Sequence, residues 1–264
     1  MAFRWTGPGC GIPAPHRGGI EGVMSSSPDL YRILRPVACG LAHVTARVQV
    51  EGVEHIPATG PFLLLSNHQS ALDPIFVQGW AGREIHAMTK STQFRHRLFR
   101  WLIPRLHGFP TRRYRVDPQA VRVALRRLQE GKGVSIYAEG ERTWDGRVHS
   151  FRRGTVRLAL RAGVPIVPCG ISGSFDVWPR WGRRPRRSPV LIRYGPAIQW
   201  EPHLHRSQRE MRLPDAAEEL EDAVRNLVDE PAHAGDEVDA VLGKVNRASP
   251  DSTDGRGSTR GTHG

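Results

Sequence analysis

Short apolar runs alternate with amphipathic stretches along most of the chain, a rhythm that predicts strands separated by helices. Leu30, Ile33, Leu34, Val37, Leu41 and Val44 recur at helical spacing beneath Arg32, Arg35 and Arg47. Residues 27–48 therefore read as an amphipathic helix, kinked at Pro36. Being amphipathic and N-terminal, it is expected to lie along a membrane surface, with capping of the core as the plain alternative. Strands are expected at 48–53, 62–65, 85–88, 134–137, 166–171 and 190–194, where apolar runs are too short for helices. Helices are expected at 74–80, 93–102, 118–131, 154–162 and 216–228, with Asp117 starting the third, Gly131 ending it and Gly163 ending the fourth. This order implies an α/β domain with a mostly parallel or mixed central sheet flanked by helices, preceded by the N-terminal amphipathic helix. Sites in such sheets gather at strand ends.

The pattern fades at both ends. Residues 1–27 are rich in Gly, Pro and Ser, and residues 231–264 are small and polar, so neither stretch can bury enough apolar surface to order itself. One domain over 28–230 is expected between two disordered tails, a size that supports a single sizeable core. Met24 stands just before it as a second candidate start, and no apolar core of a signal peptide precedes it. No run of 18 or more apolar residues occurs, so no helix is expected to span a bilayer. Cys10, Cys39 and Cys169 are scattered without CxxC spacing. Such a set argues for a reducing, cytoplasmic setting and against a disulfide or zinc framework.

The formal net charge of +12 changes the picture, because it implies an anionic partner. Arginine clusters at Arg95, Arg97, Arg100, Arg105, Arg112, Arg113 and Arg115, and again at Arg180, Arg183, Arg184, Arg186 and Arg187. The second cluster includes Trp178 and Trp181, joining charge to rings that favour the membrane interface. An anionic membrane surface is the expected partner, and a merely solvated basic face is the bland account. Basic residues with aromatics also suit single-stranded RNA. No recognition helix, RNP-like or zinc-finger pattern accompanies them, so no nucleic-acid partner is expected.

The candidate chemistry sits in Asn67-His68-Gln69-Ser70-Ala71-Leu72-Asp73-Pro74. Five positions separate His68 from Asp73, which places them about 140° apart on a helix and on opposite faces of a strand. They can meet only across a bend. One is supplied where the 62–65 strand gives way to Asp73-Pro74, which reads as an N-cap followed by proline at the first helical position. Asp73 could then hold the Nδ1 proton of His68 and leave Nε2 as a general base. Arg113, with Arg112 beside it, could grip a phosphate bidentately. Glu139-Gly140 follows the 134–137 strand, near enough to the sheet edge to bond a substrate hydroxyl or orient Arg142. No HExxH, paired cysteines or carboxylate cluster suggests a metal, no phosphate-binding Gly-x4-Gly-Lys loop occurs, and Gly170-Ile171-Ser172-Gly173-Ser174 only approaches a nucleophile elbow.

Four segments in fixed order resemble the glycerolipid acyltransferases, the family typified by 1-acyl-glycerol-3-phosphate acyltransferase. They are Asn67-His68-Gln69-Ser70 through Asp73-Pro74, then Gly108 to Arg113, Tyr137-Ala138-Glu139-Gly140-Glu141-Arg142-Thr143, and Val164-Pro165-Ile166-Val167-Pro168. The likeness runs from about Val48 to Pro196. It implies catalysis by His68 and Asp73, acceptor binding by Arg112, Arg113, Glu139, Gly140 and Arg142, and no metal or bound cofactor. The donor would be an acyl-CoA or acyl carrier protein thioester, and the acceptor a lysophospholipid, foremost 1-acyl-glycerol-3-phosphate. Ala138 stands where proline is usual and Glu141 where threonine is usual, which leaves open another lysolipid, an aminolipid or a glycolipid. A noncatalytic basic protein that binds membranes or RNA is the alternative from another class.

Overall fold

The computed structural model describes residues 28–112, 117–201 and 204–229, all within a compact unit spanning Met1–Pro231. The tails expected at 1–27 and 231–264 lie outside the described residues, as does the unit Ala232–Gly264. Seven strands form one sheet: β1 Ala46–Glu51, β2 Phe62–Ser66, β3 Ile85–Lys90, β4 Gly108–Thr111, β5 Gly133–Tyr137, β6 Ile166–Ser172 and β7 Ser188–Tyr194. Their order is β1-β7-β6-β2-β5-β3-β4. All neighbours pair in parallel except β6 with β7. The sheet is therefore mixed, as the alternation implied.

Helices cover both faces. Leu63 and Leu65 of β2 enter one core with Leu128 of α4 (Pro118–Gln129), Val156 and Leu160 of α5 (Arg153–Ala162) and Leu220 of α7 (Arg206–Arg225). Phe62 and Leu64 enter the other with Ala42 of α1 (Pro28–Thr45) and Phe76 and Val77 of α2 (Asp73–Gly79). Successive strand residues point to opposite faces, so a strand covered on both sides must be apolar at every step. Hence β2, β5 and β6 are buried throughout, and their largely apolar runs, broken in β5 by Ser135, are the part of the pattern most easily read.

The remaining helices, α3 (Arg97–Arg105) and α6 (Ser174–Val177), are short. The helix expected at 93–102 divides into a 3-10 turn, Ser91–Arg95, and α3. Edge strand β4 was not expected; four residues with a proline carry little pattern, and pairing with β3 holds them. Helix α7 starts at Arg206 rather than 216 and runs through Pro214. Its first half buries only Leu213, too little to show a period. Among the described residues no helix is long and apolar enough to cross a membrane.

Candidate active site

Strand β2 lies between β5 and β6, so the segment leaving its C-terminal end is walled by the segments leaving both neighbours. Asn67 anchors the exit. Its Nδ2 donates to Ile171 O and its Oδ1 accepts from Ile171 N, both at 2.9 Å, so a side chain continues the sheet pairing where the backbone turns away. His68 follows in the bend. Its Nδ1 meets Asp73 Oδ2 at 2.8 Å, and both side chains are buried. A carboxylate only accepts, so Nδ1 carries the proton and the lone pair lies on Nε2.

Asp73 was expected to cap α2, but Leu72 occupies the cap position and Asp73 is the first helical residue. Its carboxylate turns back to the bend, where Oδ2 also accepts from Gln69 N at 2.7 Å and Ser70 N at 2.8 Å. The two amides sit one and two residues past His68, so one oxygen ties together the whole turn. Oδ1 accepts from Ser174 Oγ at 2.7 Å. Charge-assisted bonds of this kind hold the carboxylate, and through it the imidazole, in one geometry. Ser174 follows Gly173, whose φ of 77° takes the chain through a turn at the end of β6. The near-elbow at 170–174 thus supplies a hydroxyl that orients Asp73.

The β5 side completes the bend. Tyr137 stacks on the His68 ring with centroids 4.1 Å apart and planes 21° from parallel. Glu139 Oε1 accepts from His68 N at 3.2 Å, and His68 O accepts from Thr143 N at 2.8 Å. Burial pushes the Glu139 carboxyl up to about 8, and the Asp73 and Asp145 charges add to the rise, against backbone N–H groups of His68 and His149 that favour its charged form. Arg142 is half-buried, and its guanidinium is held below its ordinary value by burial and by the Arg180 charge. The guanidinium against the Glu139-Gly140 turn is that of Arg152: Nε donates to Glu139 O at 2.8 Å, and a Cβ on Gly140 would collide with the same side chain. Glu141 bridges two arginines, to Arg152 Nη2 at 3.3 Å and Arg180 Nη1 at 3.1 Å.

Beyond Tyr137 opens a cavity of about 780 Å³ with an apolar floor of Met88, Val121, Ile136, Tyr137 and Leu158. Arg112, Arg152 and Arg153 stand at its wall with Gly140. Thus His68, Asp73 and Glu139 come together, Gly140 and Arg112 line the adjoining cavity, and Arg113 lies outside the described residues. Val164 to Pro168, the fourth of the family-like segments, does not line this cavity, and Val164, Ile166 and Val167 are buried in the two cores. Sequence reasoning missed Ser174 and Tyr137 as neighbours of the pair, and Arg152 as the neighbour of Glu139. Only the strand-end position of the first two hinted at it. Among the described residues no group of three or more His, Cys, Asp or Glu is disposed to hold a metal ion.

Residues 47–172 match the family model described as Acyltransferase. The chain is 31% identical over 157 residues to a 1-acyl-sn-glycerol-3-phosphate acyltransferase of Limnanthes alba, covering 57% of this chain and 54% of that protein. It is 31% identical over 160 residues to the human 1-acyl-sn-glycerol-3-phosphate acyltransferase alpha, covering 59% and 56%. It therefore spans little more than half the length of these relatives. The crystal structure of the 1-acyl-sn-glycerophosphate acyltransferase PlsC from Thermotoga maritima shares the fold, with a TM-score of 0.61, 22% identity, and 73% of this chain and 78% of that one covered.

Proposed function

We propose that this chain, whose residues 47–172 match the acyltransferase family model, is an O-acyltransferase that moves a fatty acyl group from a thioester to a lysophospholipid, foremost 1-acyl-glycerol-3-phosphate, giving phosphatidic acid. The observation that carries the reading is the 2.8 Å contact between His68 Nδ1 and Asp73 within that family segment. In the proposed reaction the acceptor hydroxyl gives its proton to His68 Nε2 as its oxygen attacks the thioester carbonyl. Asp73 holds the ring and stabilises the imidazolium that forms. The tetrahedral intermediate collapses with cleavage of the carbon–sulfur bond, and the departing thiolate takes the proton from His68. The thioester, on coenzyme A or acyl carrier protein, is a cosubstrate, and no bound cofactor enters the reaction.

Arg112 and Arg113 are proposed to hold the acceptor phosphate, with Gly140 and Arg142 beside them. Glu139, pushed up to about 8, is mostly protonated at neutral pH and can offer an O–H to an acceptor oxygen. The protein would work as a peripheral enzyme on an anionic membrane at the cytoplasmic face. One observation favours a second reading: the Glu141 carboxylate bridges Arg152 and Arg180 and offsets their charge beside the site, which suits an acceptor other than a phosphate monoester, such as an aminolipid or glycolipid.

The test is product analysis with purified protein, an acyl thioester and a panel of lysolipids. Phosphatidic acid as the main product supports the first reading, and a different acylated lipid supports the second. No thioester consumption with any acceptor sinks both and leaves a noncatalytic membrane- or RNA-binding protein.

A further inference from the structure

The two tryptophans that the pattern singled out are held in contacts within the protein. Trp178 donates its Nε1 proton to Gly182 O at 2.7 Å, and Trp181 is packed between Phe175 and Trp144. Large apolar side chains stand exposed singly at Val53, Trp144 and Met211, in a row on α1, and together on α3. That helix has no buried residue at all, and Leu98, Phe99 and Trp101 are 57, 42 and 47% exposed. Leaving three large apolar side chains in water is unfavourable, so such a surface on a short helix points to something that covers it.

The surrounding charge says what. From Glu84 to Asp117 no acidic residue intervenes, while Lys90, Arg95, Arg97, Arg100, Arg105, Arg112, Arg113 and Arg115 do. On α3 itself, the Arg105 guanidinium lies 4.4 Å from the centroid of the Trp101 ring, and Arg97 and Arg100 are exposed. Apolar side chains ringed by cations only, with a tryptophan among them, match the boundary between acyl chains and phosphate headgroups of an anionic leaflet. A protein partner would have to be both apolar and strongly acidic at the same spot.

The helix is also well placed for a lipid acceptor. Met88, before it in β3, and Thr111 and Arg112, after it, all line the 780 Å³ cavity. Just past its C-terminal end His107 stacks on Tyr31 of α1 with centroids 4.4 Å apart, and α1 carries a second exposed apolar row, Ile33, Val37, Leu41 and Val44. We infer that α3 is a membrane-inserting element: Leu98, Phe99 and Trp101 enter the headgroup–acyl boundary of an anionic bilayer while Arg95, Arg97 and Arg100 bind lipid phosphates. This docks the edge of the sheet that carries the cavity against the bilayer. The inference about delivery of acceptor rests on the proposed acyl transfer, whereas insertion itself does not.

The full-length protein is mixed with phosphatidylcholine vesicles, with and without phosphatidylglycerol, and sedimented. Phe99→Ser with Trp101→Ser is expected to weaken binding to the anionic vesicles by about a hundredfold, since two interfacial side chains are lost. Arg97→Gln with Arg100→Gln should weaken it by about tenfold or more and abolish the preference for anionic lipid. In Trp101→Phe, which keeps the apolar ring, binding should persist while quenching of tryptophan fluorescence by brominated lipid falls. That readout survives if the serine variant fails to fold. The serine variant should lose turnover on vesicle-embedded acceptor but keep it on a short-chain, water-soluble one. Vesicle binding that weakens as expected in a protein with no acyl transfer would support insertion and sink the enzymatic reading. Wild-type sedimentation of a folded serine variant, undiminished quenching in Trp101→Phe, or tighter binding of the wild type to single-stranded RNA than to anionic vesicles would each overturn the inference.

Discussion

Two buried histidines, one in the bend after β2 and one in β3, have opposite surroundings. His68 stacks on Tyr137 at 4.1 Å, and His86 of β3 stacks on His107 at 4.6 Å, so burial and ring contact do not tell them apart. What differs is the group at Nδ1. For His68 it is a carboxylate, itself tied down by two backbone amides and the Ser174 hydroxyl. For His86 the Nδ1 atom has no hydrogen-bond partner, and the nearby charges are His107, Arg127 and Lys132. Burial, reinforced by those cations, pushes the His86 ring down to about 3. The second ring is held neutral and serves as packing beneath His107, which stacks in turn on Tyr31 of α1. A buried imidazole becomes a usable base only where a fixed counter-charge can receive the proton's charge.

The sharpest way to break this contrast is to remove each ring in turn. His68→Ala is expected to lower turnover by roughly 10² to 10⁴, the usual contribution of a general base, with the thermal midpoint little changed. Wild-type turnover in folded His68→Ala would end the comparison. Asp73→Asn should lose about 10² in turnover, less than the ring itself. The amide oxygen can still accept from His68 and the two loop amides, while the amide nitrogen faces a Ser174 hydroxyl able to turn and accept; only the charge is gone. Asp73→Ala also removes the acceptor, and should unfold about 3 kcal/mol more easily by urea melts.

Acidity separates the regions by sign. The His86 ring has a folded value near 3, below its ordinary 6.5, so its contribution to stability is fully present above pH 6.5 and is lost as pH falls through about 3. Glu139 is raised from 4.5 to about 8, so its contribution is present below pH 4.5 and is lost as pH rises through about 8. At about 1.4 kcal/mol per pK unit, each effect is bounded at about 5 kcal/mol. His86→Leu should flatten the acid side of the stability profile and keep turnover, whereas Glu139→Gln should flatten the alkaline side. Denaturant midpoints measured across pH check both, and an unchanged acid limb in His86→Leu would count against the packing role. The smallest effect belongs to Ser174→Ala. It leaves Asp73 three of its bonds, so a three- to tenfold fall in turnover is expected, corresponding to about 1 kcal/mol for one lost hydrogen bond. A fall as large as that of Asp73→Asn would mean that Ser174 does more than orient the carboxylate.

Several features were legible before any coordinates. The largely apolar runs of β2, β5 and β6 announce strands covered on both faces, and the His68–Asp73 spacing with Pro74 announces a bend that brings the pair together. Asp73 shows where legibility stops. The same Asp-Pro signal that marks the helix start suggested a cap, but the carboxylate's best partners lie upstream, in the bend it closes. Arg142 was the arginine singled out near Glu139, and the structure adds Arg152, which bonds Glu139 O because the 140–152 loop folds back over its own start. The aromatics differ in the same way: Trp178 and Trp181 are engaged within the protein, whereas Phe99 and Trp101 are exposed. Local sequence reports composition, and exposure depends on what packs alongside.

By itself the sequence determined an alternating α/β order, the bend that joins His68 to Asp73, and a basic, acid-free stretch around α3. Each is a property of neighbouring residues, written in apolar period, turn chemistry or charge along a short window. Only the tertiary structure decided that β2 lies between β5 and β6. That order brings Ser174, 101 residues away, to Asp73 and sets Glu139, 71 residues away, against His68 N. Strand order is settled by how two helical layers bury the faces of one sheet, a balance summed over the whole core that no local window contains.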